Sequence, residues 1–166
     1  MTGPELLSFL SFGYSIGTVS LPMTLPEIPS FDRLGEMKSG ELLALGGIKL
    51  REAIAATLRC SKGPVVVPLS GGLDSRAILA GLLEHKTPNE LCTYTFGIPG
   101  SMDYEIGNRV AKAAGTRHRS FNLHEYVYST ETLLDIADRV SGKTVLFHHA
   151  PISLIEREFG EDAEYW

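Results

Sequence analysis

Leu50, Ile54 and Leu58 recur at helical spacing, with Ala53 and Thr57 on the neighbouring row, and predict an amphipathic helix over residues 48–59. Gly63 and Pro64 close that pattern. The β-branched run Val65, Val66 and Val67 then predicts a strand buried on both faces. A tight turn over residues 70–75 leads into the apolar stripe of Ile78, Leu79, Leu82 and Leu83, a second helix. The alternation repeats. Residues 91–98 read as a strand and residues 103–114 as a helix with Ile106, Val110 and Ala113 inward. Residues 118–123 read as a third strand, and residues 125–140 as a helix with Leu133, Ile136, Ala137 and Val140 on one side. Residues 151–159 close the series as a helix with Pro151 in its first turn. Strand and helix in strict alternation predict right-handed crossovers and an α/β fold, a parallel sheet with helices on both faces.

Residues 12–47 have another texture, because Gly13, Gly17, Pro22, Pro26, Pro29, Gly35, Gly40, Gly46 and Gly47 punctuate them. Such density breaks helices and central strands, so turns and short extended pieces are expected. The domain layout expected is a linker or covering segment at 1–47 and a single domain at 48–166. With 166 residues the chain has room for one ordinary core. A net charge of -5 argues against a broad nucleic-acid surface, and no apolar run is long enough to span a bilayer. Glu5 and the lack of a basic n-region argue against a signal peptide. Cys60 and Cys92 suit two buried, reduced thiols. A cytoplasmic location is the expectation.

The turn at 70–75 carries the chemistry. A buried parallel strand that ends in glycines and feeds a helix is where α/β proteins hold anions, since the first-turn amides lack intrahelical partners and the dipole adds positive potential. Gly71 and Gly72 let successive N–H groups face one phosphate, and Ser70 and Ser75 add hydroxyls at either end. Asp74 makes sense beside a polyphosphate when Mg²⁺ bridges the two. No Lys follows the glycines, so this is not a Walker A loop, and no Gly-x-Gly-x-x-Gly fingerprint is present. A plain strand–turn–helix connection, with Asp74 as a cap or first-turn charge, is the alternative.

The run Ser70, Gly71, Gly72, Leu73, Asp74, Ser75 resembles the Ser-Gly-Gly-x-Asp-Ser signature of the PP-loop ATP pyrophosphatases, the adenine nucleotide alpha hydrolase-like fold. Around it, Leu50 to Ile54, the stretch from Thr95 through Pro99, Gly100 and Ser101 to Asp103, and Gly115 to His118 are similar to the glutamine-hydrolysing asparagine synthetase branch. Phe12, Gly13 and Tyr14 resemble that family's segment between glutaminase and synthetase domains. The resemblance implies ATP-dependent amidation of aspartate through an acyl-adenylate, with release of pyrophosphate and AMP and with nitrogen from ammonia or glutamine. It implies that Ser70, Gly71, Gly72, Asp74 and Ser75 bind pyrophosphate, that Asp74 holds Mg²⁺, and that Pro68, Leu69 and Arg117 contact the nucleoside. The cofactors implied are ATP and Mg²⁺. Other amide-forming ligases of the same superfamily, such as β-lactam synthetases and lasso-peptide cyclases, and a non-catalytic ATP-binding module are the alternatives.

The chain departs from that family at both ends. The glutaminase nucleophile, a Cys after the initiator, is replaced by Thr2, and the later acidic glycine loop would follow residue 159, close to Trp166. The expectation is therefore an incomplete synthetase that needs a glutaminase or a C-terminal partner and makes no asparagine alone. His148 and His149 are adjacent and cannot readily share one metal. His118 reads as a structural strand-end histidine, while Asp135, Asp138, Arg139, Glu156, Arg157 and Glu158 read as solvated helix faces. Arg76, a cation in the first turn of a helix, suits either phosphate contact or outward solvation.

Overall fold

The computed structural model describes residues 34–139 and 151–166. The described residues fall into two units, one of 34–126 with 155–166 and another of 127–139 with 151–154. The first contains helix α1 (Ser39–Cys60), strand β1 (Val65–Pro68), helix α2 (Leu73–Leu83), strand β2 (Leu91–Gly97), helix α3 (Met102–Ala114) and strand β3 (Arg117–Asn122). Helix α4 (Thr130–Arg139) lies in the second unit, and helix α5 (Ile152–Phe159) and strand β4 (Glu164–Tyr165) complete the order. Single 3-10 turns sit at Pro88–Glu90 and Leu123–Glu125.

The strands form a four-stranded sheet in the order β3-β2-β1-β4, and every pairing is parallel. β1 and β2 occupy its centre and are buried along most of their length, β1 as a run of valines and β2 with the polar Thr93 and Thr95 among its buried residues. Alternation along β1 separates two cores. Val65 and Val67 face a cluster with Ile54 of α1, Leu79 and Leu82 of α2 and Ala111 of α3. Val66 faces the other way, with Cys92 and Tyr94 of β2, Ile155 of α5 and Ala163. Phe96, Phe121 and Phe159 border that second cluster, with the Tyr94 and Phe159 rings 6.1 Å apart. Helices therefore cover both faces of the sheet, the architecture the alternation predicts.

The differences from expectation are local. α1 begins at Ser39 rather than residue 48, so Gly40, Gly46 and Gly47 are helical instead of breaking the chain. An added Cβ at Gly40 or Gly46 would meet nothing within 4 Å, so no packing demand calls for glycine there. The helix start is held by the Lys38 N–H, which donates to the Glu41 carboxylate at 3.0 Å. Leu50, expected inward, is exposed, while Ile54 is buried. On α3, Gly107 and Ala111 are the buried residues and Ala113 is exposed, because the helix packs so closely that only small residues fit. An added Cβ at Gly107 would lie 2.7 Å from the Leu69 carbonyl oxygen and closer still to Thr95 Oγ1. The helix expected at 125–140 starts at Thr130, where the Ser129 hydroxyl accepts the Thr132 N–H at 3.1 Å; Ile136 is buried. Cys60 is exposed at the end of α1, whereas Cys92 is buried, and both are free thiols.

Two residues of β4 extend the sheet beyond β1. The Glu164 N–H donates to the Pro64 carbonyl at 2.9 Å and the Trp166 N–H to Val66 at 3.0 Å. The Glu164 carboxylate accepts the N–H groups of Lys62 and Gly63, and bonding with Ser61 first and with these amides next holds it below the ordinary carboxylate range. Thr2, Phe12, Gly13, Tyr14, Val140, His148 and His149 lie outside the described residues.

Candidate functional site

The expected turn is present where β1 gives way to α2. β1 continues as extended backbone to Leu69, whose N–H donates to the Tyr94 carbonyl at 2.7 Å and whose carbonyl accepts the Thr95 hydroxyl at 2.9 Å. Those bonds pin the chain as it leaves the sheet, so the loop that follows starts from a fixed point. Gly72 caps α2 with φ -74 and ψ 159, a conformation open to any residue. What marks the glycine positions is close approach, tightest at Gly71, rather than a left-handed backbone. A Cβ on Gly71 would lie 2.7 Å from Asp103 Oδ1, and a Cβ on Gly72 would lie 3.2 Å from Ser70 Oγ.

Three consecutive amides of the loop end on oxygen acceptors. The Ser70 N–H donates to Ser75 Oγ at 3.2 Å, Gly71 to Asp103 Oδ1 at 2.9 Å and Gly72 to Ser70 Oγ at 3.1 Å. The two serine hydroxyls lie 3.3 Å apart and close the loop on itself. Ser70, Gly71, Gly72 and Ser75 are thus brought together with their donors side by side. Asp74 sits in the first turn of α2, exposed, and it does not cap the helix. Among the described residues Asp74 and Asp103 belong to no ion pair.

Arg76 turns back onto the loop rather than pointing only outward. Its Nε donates to the Gly72 carbonyl at 3.0 Å and its Nη2 to the Gly71 carbonyl at 3.1 Å, so the guanidinium clamps the back of the loop. Asp103 was not singled out as a site residue, although it stands in the Pro-Gly-Ser-x-Asp turn. That turn is tied by the Ser101 N–H to Ile98 at 3.0 Å and by the Gly100 N–H to Glu105 Oε1 at 2.9 Å, with Gly100 at φ 91. It starts α3 so that its first turn lies against the loop. Leu73 and Met102, the residues beside Gly72 and Asp103, are 74% and 77% exposed, an apolar rim next to a polar loop.

The nucleoside candidates separate. Pro68 is half-buried at the end of β1, and the Leu69 side chain belongs to the core. Arg117 opens β3 in register with Cys92 and, through β2, with Val66. It therefore lies four residues of strand rise below Ser70, roughly 13 Å at about 3.3 Å per residue, and is not brought to the loop. Instead it lines a separate cavity of about 330 Å³ with Cys92, His118, Arg119, Glu158 and Phe159. Glu158, expected to be only solvated, pairs there with Arg119 at 2.5 Å. His118 Nδ1 lies 2.9 Å from Thr93 Oγ1, which also meets Thr116 Oγ1 at 2.7 Å, while Nε2 is buried with no hydrogen-bond partner among the described residues. Burial holds this imidazole below its ordinary value of 6.5.

Comparison with known proteins adds an independent observation. The model of the asparagine synthase family matches residues 48–151, which span the loop, both central strands and the Asp103 turn. Asparagine synthetase [glutamine-hydrolyzing] 2 of Arabidopsis thaliana is 35% identical over 85 residues, 46% of this chain and 14% of that protein. Asparagine synthetase [glutamine-hydrolyzing] 3 of the same plant is 34% identical over 85 residues, with the same coverage. The matched region is thus a small part of the length of these relatives. No helix among the described residues is long and apolar enough to cross a membrane.

Proposed function

As the chain belongs to the asparagine synthase family, we propose that it supplies the ATP-binding loop of a synthetase that adenylates a carboxylate and amidates it. The observation that carries this reading is the row of amides at Ser70, Gly71 and Gly72, all ending on oxygen acceptors at the carboxyl end of a buried parallel strand. Two serine hydroxyls of the loop and the Asp103 carboxylate of α3 take the positions where phosphate oxygens would sit. The names of the relatives support aspartate as the carboxylate and glutamine, or ammonia derived from it, as the nitrogen source. A glutaminase and the rest of a synthetase domain are the partners this reading calls for.

In the proposed reaction a carboxylate oxygen of aspartate attacks the α-phosphorus of ATP, and the bond to the bridging oxygen breaks as pyrophosphate leaves. Ammonia then attacks the acyl carbon and AMP departs. Departing pyrophosphate gains charge, which the amides of Ser70, Gly71 and Gly72 and the hydroxyls of Ser70 and Ser75 would meet by exchanging their present oxygen acceptors for phosphate oxygens. Arg76 keeps the loop carbonyls turned away from that charge. Pro68 forms the wall nearest the nucleoside.

Mg²⁺ fits this loop. Asp74 is exposed beside the donors and unpaired with any cation among the described residues. Asp74 would supply one carboxylate to an ion that arrives on the polyphosphate. Bound there, it would neutralise polyphosphate oxygens and draw charge from the leaving group.

Titration calorimetry tests the reading. The chain should bind ATP with Mg²⁺ saturably, and Ser70→Ala should weaken binding by about 1–3 kcal/mol through the lost hydroxyl and the unpaired Gly72 amide. Asp74→Asn should preserve the fold and lose most of the gain from Mg²⁺. Equal affinity for Mg²⁺-ATP in wild type and Asp74→Asn would remove the metal role from Asp74.

A further inference from the structure

Of the three loop amides, two are satisfied by neutral hydroxyls of the loop. The third, Gly71, donates to a carboxylate brought by another helix, Asp103 Oδ1 at 2.9 Å. This approach is built rather than incidental. A Cβ on Gly71 would lie 2.7 Å from that oxygen and 3.4 Å from Asp103 Cα, so the loop backbone rests directly against the first turn of α3. The same helix is held to the exit of β1, because Gly107 permits contact with Thr95 Oγ1 and the Leu69 carbonyl. Neither the turn before Asp103 nor the loop can drift without breaking bonds already described.

We propose that the Asp103 carboxylate is an internal anion that holds the Gly71 amide in the absence of nucleotide and makes the loop select metal-complexed polyphosphate over the bare polyanion. The proposal rests on the reading of the loop as the phosphate seat. A phosphate oxygen and a carboxylate cannot both take one N–H, and two anions within hydrogen-bonding distance of the same donor repel. A bare polyphosphate must therefore displace Asp103 while facing its charge, with Asp74 three residues along the loop adding to the repulsion. With a divalent cation on the phosphates, the same carboxylates become attractive neighbours. Asp103 is then a positioning residue: it keeps the amides oriented while the seat is empty and sets which ionic form enters.

The experiment measures binding of inorganic pyrophosphate by calorimetry, with Mg²⁺ and with a chelator, in the wild-type chain, Asp103→Asn and Asp103→Ala. Asn keeps an acceptor oxygen for Gly71 and removes only charge. Asp103→Asn should bind metal-free pyrophosphate roughly fivefold to tenfold more tightly than wild type, the size of one unscreened like charge near 4 Å. Its ratio of Mg²⁺-bound to metal-free affinity should fall by a similar factor, and the gain should shrink as salt rises. A purely structural role would weaken both forms together and leave that ratio unchanged. Asp103→Ala, which also frees the amide, should show the same fall in ratio even if its melting temperature drops. If wild type binds Mg²⁺-pyrophosphate and both variants keep its ratio, the proposal is overturned while the phosphate seat stands. If no variant and no ionic form binds, the seat itself is misread and the proposal falls with it.

Discussion

With the carbonyls of Gly71 and Gly72 both drawn onto the Arg76 guanidinium, the planar peptides that carry them turn the N–H groups of Gly72 and Leu73 the opposite way. On the proposed reading of the loop, Arg76 thereby orients donors toward the phosphate side. Arg76→Ala should weaken Mg²⁺-ATP binding by about 1–2 kcal/mol, because the loop loses two charge-assisted bonds that pre-orient it. The loss should be nearly the same at low and high salt, and Arg76→Lys should restore little of it, since an ammonium lacks the planar fork. Calorimetry at two salt concentrations decides the matter: a loss that grows steeply at low salt would mean direct phosphate contact instead. At this scale the turn and its clustered donors were legible, because two glycines flanked by serine hydroxyls after a buried strand bring successive N–H groups together. The partners of Arg76 were not, since backbone carbonyls leave no trace in sequence. Asp103 was hidden by distance, 32 positions from Gly71 along the chain.

The elements that hold the site divide into those set by packing and those set by local propensity. α3 is set by packing, and Gly107→Ala should destabilise the fold by about 1–3 kcal/mol, because the new methyl meets backbone at Leu69 and the side chain of Thr95. The displacement of α3 should carry Asp103 away from Gly71, so nucleotide affinity should change along with stability. α1 is the contrary case. Gly46→Ala should stabilise by about 0.5–1 kcal/mol, since the site is open and glycine only adds entropy to the unfolded chain. Urea unfolding of the two variants checks both signs, and destabilisation by Gly46→Ala would mean that this face of α1 is in contact after all. The central strands and α2 were legible from apolar runs and a helical stripe. The early start of α1 was not, because glycine density is a weak breaker when a capping carboxylate such as Glu41 and a run of leucines support the helix. The two residues of β4 carry no periodicity to read. Their place beside β1 follows from long-range bonds of Glu164 to Lys62 and Gly63.

In the unit that holds the sheet, the strands separate a glycine-loop end from the opposite end, where Arg117 and His118 sit. The alternation of strands and helices made that architecture legible, but sequence order could not reveal that Arg117 enters β3 at the wrong level for the loop. His118 links the opposite end to global stability. Its folded-state value is lowered by burial, so the unfolded chain takes up the proton first, and stability is present above 6.5 and lost as pH falls below it. Thermal unfolding at about pH 7.5 and about pH 5.5 should show a larger acid loss in wild type than in His118→Gln; equal losses would show that His118 does not govern this window. The central claim, that the loop at residues 70–75 receives the phosphates of ATP, is tested most directly by amide NMR of the labelled chain during titration with Mg²⁺-ATP. The account predicts saturable shifts concentrated at Ser70, Gly71, Gly72, Leu73 and Asp74, with Arg117 and His118 unmoved. Shifts confined to the cavity around Arg117 and His118, with the glycine-loop amides unchanged, would contradict it.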